Sequence, residues 1–288
     1  MRSYNPKEWF SLIFQFHKGD TFRKLLPVMA AIAIYCWGVA YLEKEYFKLP
    51  ETSYVKNISL MHTMLGFVIS MLLVFRTNTA YDRWWEGRRM WGSLVNNSRN
   101  FALKLSAMLT DEKDKAAFRK LIPAYASVLN QHLKDADISH ELFDDTLLAH
   151  PHYKHQPNRL AKSMISNLND LYKNGKITGD QLIILNTEVL SFTEVCGACE
   201  RIKNTPIPYS YSAFIKKFIF MYVMTLPFGY VFQLGYYVIP VVVFVFYVLA
   251  SLELIAEEIE DPFGTDANDL PLEKIAENIK KNIEEILS

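Results

Sequence analysis

The sequence predicts an all-α integral membrane protein, with four transmembrane helices per subunit and a cytoplasmic helical domain between the second and third. Three observations predict it. Long uncharged apolar runs stand at 25–42, 58–75 and 218–252. The stretch between the second and third runs reads as capped helices without strand alternation. Lysine and arginine gather on one side of the runs, as they do on the cytoplasmic side of membrane proteins.

Each span has its own grounds. The run 25–42 carries no charge over 18 residues, close to the length of about 20 that crosses a hydrocarbon core. Arg23 and Lys24 precede it, and Glu43, Lys44 and Glu45 follow. The first 22 residues are mixed and polar, so this run is expected to be a retained anchor and not a cleaved signal. The run 58–75 holds one ionisable group, His62, and Arg76 ends it. His62 is expected near the non-cytoplasmic end, within reach of water. The run 218–252 is too long for one span, and Pro227, Gly229, Gly235 and Pro240 interrupt it. It predicts a helical hairpin turning near 233–237. The first arm begins near Ala213, with Lys216 and Lys217 reaching for headgroups. A soluble protein would have to explain several uncharged runs of spanning length, which buried helices seldom reach.

The charges orient the spans. Arg2, Lys7, Lys18, Arg23 and Lys24 precede the first, and Arg76, Arg83, Arg88, Arg89 and Arg99 follow the second. The third-to-fourth turn has none, and Glu43, Glu45 and Glu51 balance Lys44, Lys48 and Lys56 in the first loop. Both termini and the middle domain are therefore expected in the cytoplasm. The organisation reads as 1–92 (N-terminal segment and two spans), 93–210 (cytoplasmic helical domain), 211–254 (two spans) and 255–288 (an acidic segment and an amphipathic helix).

Within the middle domain, Thr110 can cap a helix beginning at Asp111–Glu112. Thr178-Gly179-Asp180-Gln181 fits a capping box that opens a long helix to about Lys203. Thr205-Pro206-Ile207-Pro208 breaks it. In the tail, Leu272, Ile275 or Ala276, Ile279, Ile283 and Ile286 form one apolar stripe, which signals packing against a partner or the same chain and hints at oligomeric assembly. The formal net charge is zero, and no basic run interleaved with aromatics appears, so no nucleic-acid partner is expected.

Two sets of residues invite metal or redox readings. Cys196-Gly197-Ala198-Cys199 has CxxC spacing, but no second pair completes a four-thiolate site, and its helical setting favours close packing. His150, His152 and His155 flank Pro151 ahead of Pro157 and read as an exposed loop.

Three segments carry a resemblance. After the second span comes Phe75-Arg76-Thr77-Asn78-Thr79-Ala80-Tyr81-Asp82-Arg83-Trp84-Trp85-Glu86-Gly87-Arg88, with Met90-Trp91-Gly92 close behind. Before the third stands Cys199-Glu200-Arg201-Ile202-Lys203-Asn204-Thr205-Pro206-Ile207-Pro208. After the fourth comes Glu257-Glu258-Ile259-Glu260-Asp261-Pro262-Phe263-Gly264-Thr265-Asp266-Ala267-Asn268-Asp269. In order and placement, with Lys18-Gly19-Asp20-Thr21 ahead of the first span, the chain resembles the bacterial branch of the bestrophin family over nearly its whole length.

The resemblance implies a homopentamer in the bacterial inner membrane, with one axial pore, a cytoplasmic vestibule and membrane lipid around it. Animal members are calcium-activated chloride channels, and a bacterial relative has been described as cation-conducting, so small inorganic ions are the expected cargo. Second-span helices line the neck in the family, and Met64, Val68 and Leu72 supply the i, i+4 row that an axis-facing stripe needs. Here aliphatic and thioether side chains replace the aromatic ones of animal members. Matching from Pro262, the acidic segment that helps bind calcium in animal members corresponds to Glu258, Asp261, Asp266 and Asp269. Calcium or another cation is a candidate there, with no cofactor required.

The Arg/Trp segment reads as interface anchoring and inter-helix packing, or as lining of the upper vestibule. Two other function classes stand beside the channel. One is a membrane enzyme using a metal among Glu253, Glu257, Glu260, Asp261, Asp266 and Asp269, although no histidine or nucleophile–base motif accompanies them. The other is a membrane scaffold or sensor built on the tail helix.

Overall fold

A computed structural model describes residues 20–48, 58–135 and 155–288. The basic residues Arg2, Lys7 and Lys18, the loop at Thr52, and His150 and His152 lie outside the described residues. Among the described residues every element is helical: α1 Asp20–Tyr41, continued by a π-turn over Leu42–Tyr46; α2 Ile58–Met108; α3 Glu112–Leu133; α4 Gln156–Lys173; α5 Gly179–Asn204; α6 Tyr209–Leu234; and, after a 3-10 turn at Gly235–Tyr237, α7 Val238–Glu260 and α8 Leu272–Ile286. They form two compact units. One takes in the described residues up to Asp82 with Pro206–Glu260, and the other takes in Arg83–Thr205 with Asp261–Ser288.

In the first unit α1 packs on α6 and α7, and α6 packs back on α7. Ile69 and Leu73 of α2 join a core with Ile32, Cys36, Ile219 and Val242. The other faces stay apolar: Ile34 and Met64 are each 71% exposed, Phe67 68% and Phe244 64%. Soluble monomers seldom leave so much contiguous apolar surface to water. Such faces are those of helices long and apolar enough to cross a membrane. The hairpin turns where the sequence places it. α6 ends at Leu234, and Gly235 takes φ +57°, a left-handed conformation that costs glycine little because it lacks a Cβ.

In the second unit the core gathers Trp91, Phe101, Phe118, Tyr125, Phe192 and Phe263. Tyr125 and Phe192 meet edge-to-face at 5.1 Å, and the Tyr125 hydroxyl donates to the Phe192 carbonyl at 2.9 Å. This is how a buried tyrosine keeps its polar end satisfied. The Thr178 capping box forms as read, with Gln181 reciprocating. One cap moves: Asp111, not Thr110, caps α3 and accepts from the Lys113 N–H. Asp111 sits in extended backbone directly ahead of the first helical residue, and its carboxylate adds charge to the cap.

α5 is long and apolar enough to cross a membrane. Nonetheless it buries Leu185, Val189, Phe192, Val195, Cys196, Cys199 and Ile202 within its own unit, and it carries Glu188 and Glu194, which are costly in hydrocarbon. It packs against α3 and α4, within the core of its own unit. Cys196 and Cys199 are free and buried, which agrees with packing. Burial drives both thiols up to about 12, far from the thiolate that redox or metal chemistry needs. The tail stripe is also spent inside the chain: Leu272, Ile275, Ala276, Ile279 and Ile283 are buried, and α8 lies on α3. The stripe therefore leaves no apolar face for a partner.

Candidate ion pathway

α2 sorts its membrane residues by face. His62, Ile69, Leu73, Arg76 and Ala80 are buried, at steps of seven, four, three and four that mark the side turned to the unit's own core. Met64 and Val68 are exposed, Val68 at 45%, and Leu72 is half-buried. The expected neck row thus lies off the core-facing side and presents only apolar atoms.

His62 is not hydrated at a span end, as the sequence suggested. It is 2% exposed, with Nδ1 2.8 Å from the Ile58 carbonyl and Nε2 2.9 Å from Thr225 Oγ1. The rings of Tyr222 and Tyr230 stand 5.5 and 6.1 Å away. Both nitrogens are engaged, so it ties α2 to α6 as a polar staple.

Arg76 is likewise more than a boundary marker. It is 1% exposed, with Nε 3.4 Å from Glu253 Oε1 and Nη2 2.7 Å from Glu260 Oε2. Glu260 Oε1 in turn accepts the Ile207 N–H at 2.7 Å, fixing the chain that enters α6 between Pro206 and Pro208. The remaining acids of α7 have cations of their own: Glu257 meets Lys216 at 3.0 Å, and Glu258 meets Lys24 at 3.1 Å. Each α7 acid of the enzyme reading is therefore matched to a base, not turned toward a shared metal. Glu253, Glu257 and Glu260 recur at helical spacing, and Arg76 is the first charge after an uncharged run. That was the available signal.

From Arg83 onward the Arg/Trp segment shows the expected inter-helix packing, with Trp85 left exposed. Trp91 is fully buried. Trp84 donates to the Asn268 carbonyl at 3.0 Å, and Arg83 donates to the carbonyls of Ile202 and Thr205.

Of the four acids matched to the calcium segment, Asp261, Asp266 and Asp269 share the turn after α7, while Glu258 lies in the other unit. The Asp266 N–H donates to Asp269 Oδ2 at 2.5 Å, and the Phe263 N–H donates to Asp261 Oδ1 at 3.4 Å. A Cβ at Gly264 would stand 2.8 Å from Asp269 Oδ2 and 3.6 Å from Asp261 Oδ2. Glycine is what leaves room for the Asp269 carboxylate. Asp269 is 2% exposed, and its Oδ1 has no hydrogen-bond partner among the described residues. Burial, then the charges of Asp266 and Asp261, raise its carboxyl to about 6 despite the Asp266 N–H. A buried carboxylate oxygen without a partner, beside two further acids, fits a hard cation.

Residues 1–285 match the family described as Bacterial/Fungal Bestrophin protein. The chain belongs to the bestrophin family. Among other bestrophin relatives, a voltage-dependent anion channel-forming protein of Nostoc is 34% identical over 98% of this chain and 92% of its own. One of the same description from Escherichia coli is 30% identical over 95% and 90%. A bacterial bestrophin homologue from Klebsiella pneumoniae superposes with a TM-score of 0.83 at 24% identity, over 92% of this chain and all of the other. A second structure of that homologue gives 0.80 at 25% identity, over 90% and 97%.

Proposed function

We propose that the chain is the subunit of a homopentameric ion channel of the bacterial inner membrane, passing small monovalent ions through an apolar neck of Met64, Val68 and Leu72. The observation that carries it is the outward apolar row of α2 in a chain of the bestrophin family. Membership and the relatives' names support a channel and not an enzyme. An ion in such a neck keeps its water, because nothing in the wall replaces the hydration shell, so a narrow ring controls passage by wetting and dewetting. Asp261, Asp266 and Asp269 are the residues that would hold calcium or a similar cation. A cation there supplies positive charge to offset the acids and draws their carboxylates together. Glu258, engaged by Lys24, contributes less to that set.

Purified protein reconstituted into planar bilayers under asymmetric NaCl tests the reading. Stepwise currents are expected, the reversal potential separates chloride from sodium, and the solubilised complex should weigh five subunits. A monomer without current overturns the proposal. Current that is identical in calcium and in chelator removes the calcium role of the three aspartates while leaving the channel.

The topology has its own check. Lysine and arginine place residues 93–210 inside. In a background lacking Cys36, Cys196 and Cys199, an impermeant thiol reagent added outside should label Thr52→Cys and leave His150→Cys untouched. Labelling of both from outside reverses the orientation.

A further inference from the structure

A second cation site lies in the unit of Arg83–Thr205, on three elements far apart in sequence. His132 occupies the last turn of α3, His155 caps α4, and Glu200 projects from α5. Nε2 of each histidine stands 2.7 Å from the same oxygen, Glu200 Oε1, and the two rings are 4.7 Å apart. One ligand atom from each residue lies within 4.8 Å of the others. Among the described residues no other three His, Cys, Asp or Glu side chains converge in this way. All three side chains are about one-third exposed, so solvent and a hydrated ion reach them. From this geometry we infer that His132, His155 and Glu200 bind a borderline divalent transition metal, of which Zn2+ is the representative.

The donor set decides the class. Two imidazole nitrogens and one carboxylate oxygen suit Zn2+, Ni2+ or Cu2+, whereas Ca2+ and Mg2+ require clustered oxygens. Three protein ligands leave a tetrahedral ion one position for water. The surroundings already favour an ionised Glu200: burial opposes its charge, but the hydrogen bonds and charges of both histidines outweigh it and hold the carboxyl below the usual range. Proton balance is simple at His155. Its Nδ1 accepts the Asn158 N–H at 3.2 Å, which leaves the proton on Nε2. Metal at Nε2 moves that proton to Nδ1, so no proton is released from this ring and the cap on α4 is given up.

The test is titration of chelator-treated, full-length protein in detergent with ZnCl2, followed by calorimetry. One Zn2+ per subunit is expected. His132→Ala and Glu200→Ala should each weaken binding at least tenfold, while Glu284→Gln, at an exposed acid of α8, leaves it unchanged. Co2+ titration gives a second readout, since visible d–d bands of four-coordinate Co2+ should appear in the parent protein and be lost in His155→Ala. Zn2+ uptake that is absent, or equal in the parent and in well-folded variants, overturns the site. So does equal uptake of Ca2+ at these residues, or Co2+ that stays octahedral.

Discussion

Val68→Ala is expected to raise single-channel conductance about five-fold, the effect of lowering a passage barrier by roughly 1 kcal/mol. Val68 is exposed on α2, and in a pentamer its ring would carry five apolar side chains with no polar group among them. Shortening them widens the ring and favours water inside it. Ion preference should change less, since no charge or dipole is added. The comparison variant has to leave the subunit core intact. Leu73 is next to Leu72 but is 2% exposed inside that core, so its truncation would cost about 2–5 kcal/mol of stability and report on folding. Val74 is exposed and lies roughly 120° around the helix from Val68; Val74→Ala should leave conductance unchanged. A rise in Val74→Ala alone means that the pore face is misassigned. No change in either, with an intact pentamer, moves the constriction to the vestibule.

The second large effect is on stability. Arg76→Met should lower stability by about 3–5 kcal/mol, because it strands a buried carboxylate that has lost its counter-charge. Glu253 is 3% exposed and its Oε2 already lacks a hydrogen-bond partner among the described residues, so nothing nearby substitutes for the guanidinium. Arg76→Met combined with Glu253→Leu should recover part of the loss, since an apolar pair replaces the more buried of the two ion pairs and Glu260 keeps the Ile207 N–H. Thermal unfolding of the solubilised protein measures both. An unchanged midpoint for Arg76→Met would mean that water reaches the pair in the assembled protein.

What could be read from the sequence was local, and what could not was tertiary. The spans, the turn at Gly235 and the box at Thr178 are written in adjacent residues, whose backbone preferences need no distant partner. The neck row follows from helical spacing within 58–75, although spacing alone does not say which exposed stripe faces an axis. The pairing of Arg76 with Glu253 and Glu260 spans more than half the chain, and only folding brings those charges together. His132, His155 and Glu200 escaped for the same reason. Each looks ordinary in its own segment, and His155 between prolines resembled a loop residue. The tail stripe was legible as a stripe, yet its partner, α3, was not.

That docking of α8 on α3 has a consequence for biosynthesis. Residues 272–286 leave the ribosome after α6 and α7, the second membrane hairpin, while α3 was made some 150 residues earlier. Domains tend to fold as units during synthesis, and exposed apolar surface on incomplete ones invites aggregation. The unit that holds α3 and α8 therefore waits, with the α3 surface under α8 still uncovered, until the hairpin has been made. Chains stalled or cut short before Leu272 would carry complete apolar helices in one unit and an unsealed core in the other, the kind of surface that chaperones and proteases recognise. Completion of the tail thus closes the core of that unit last.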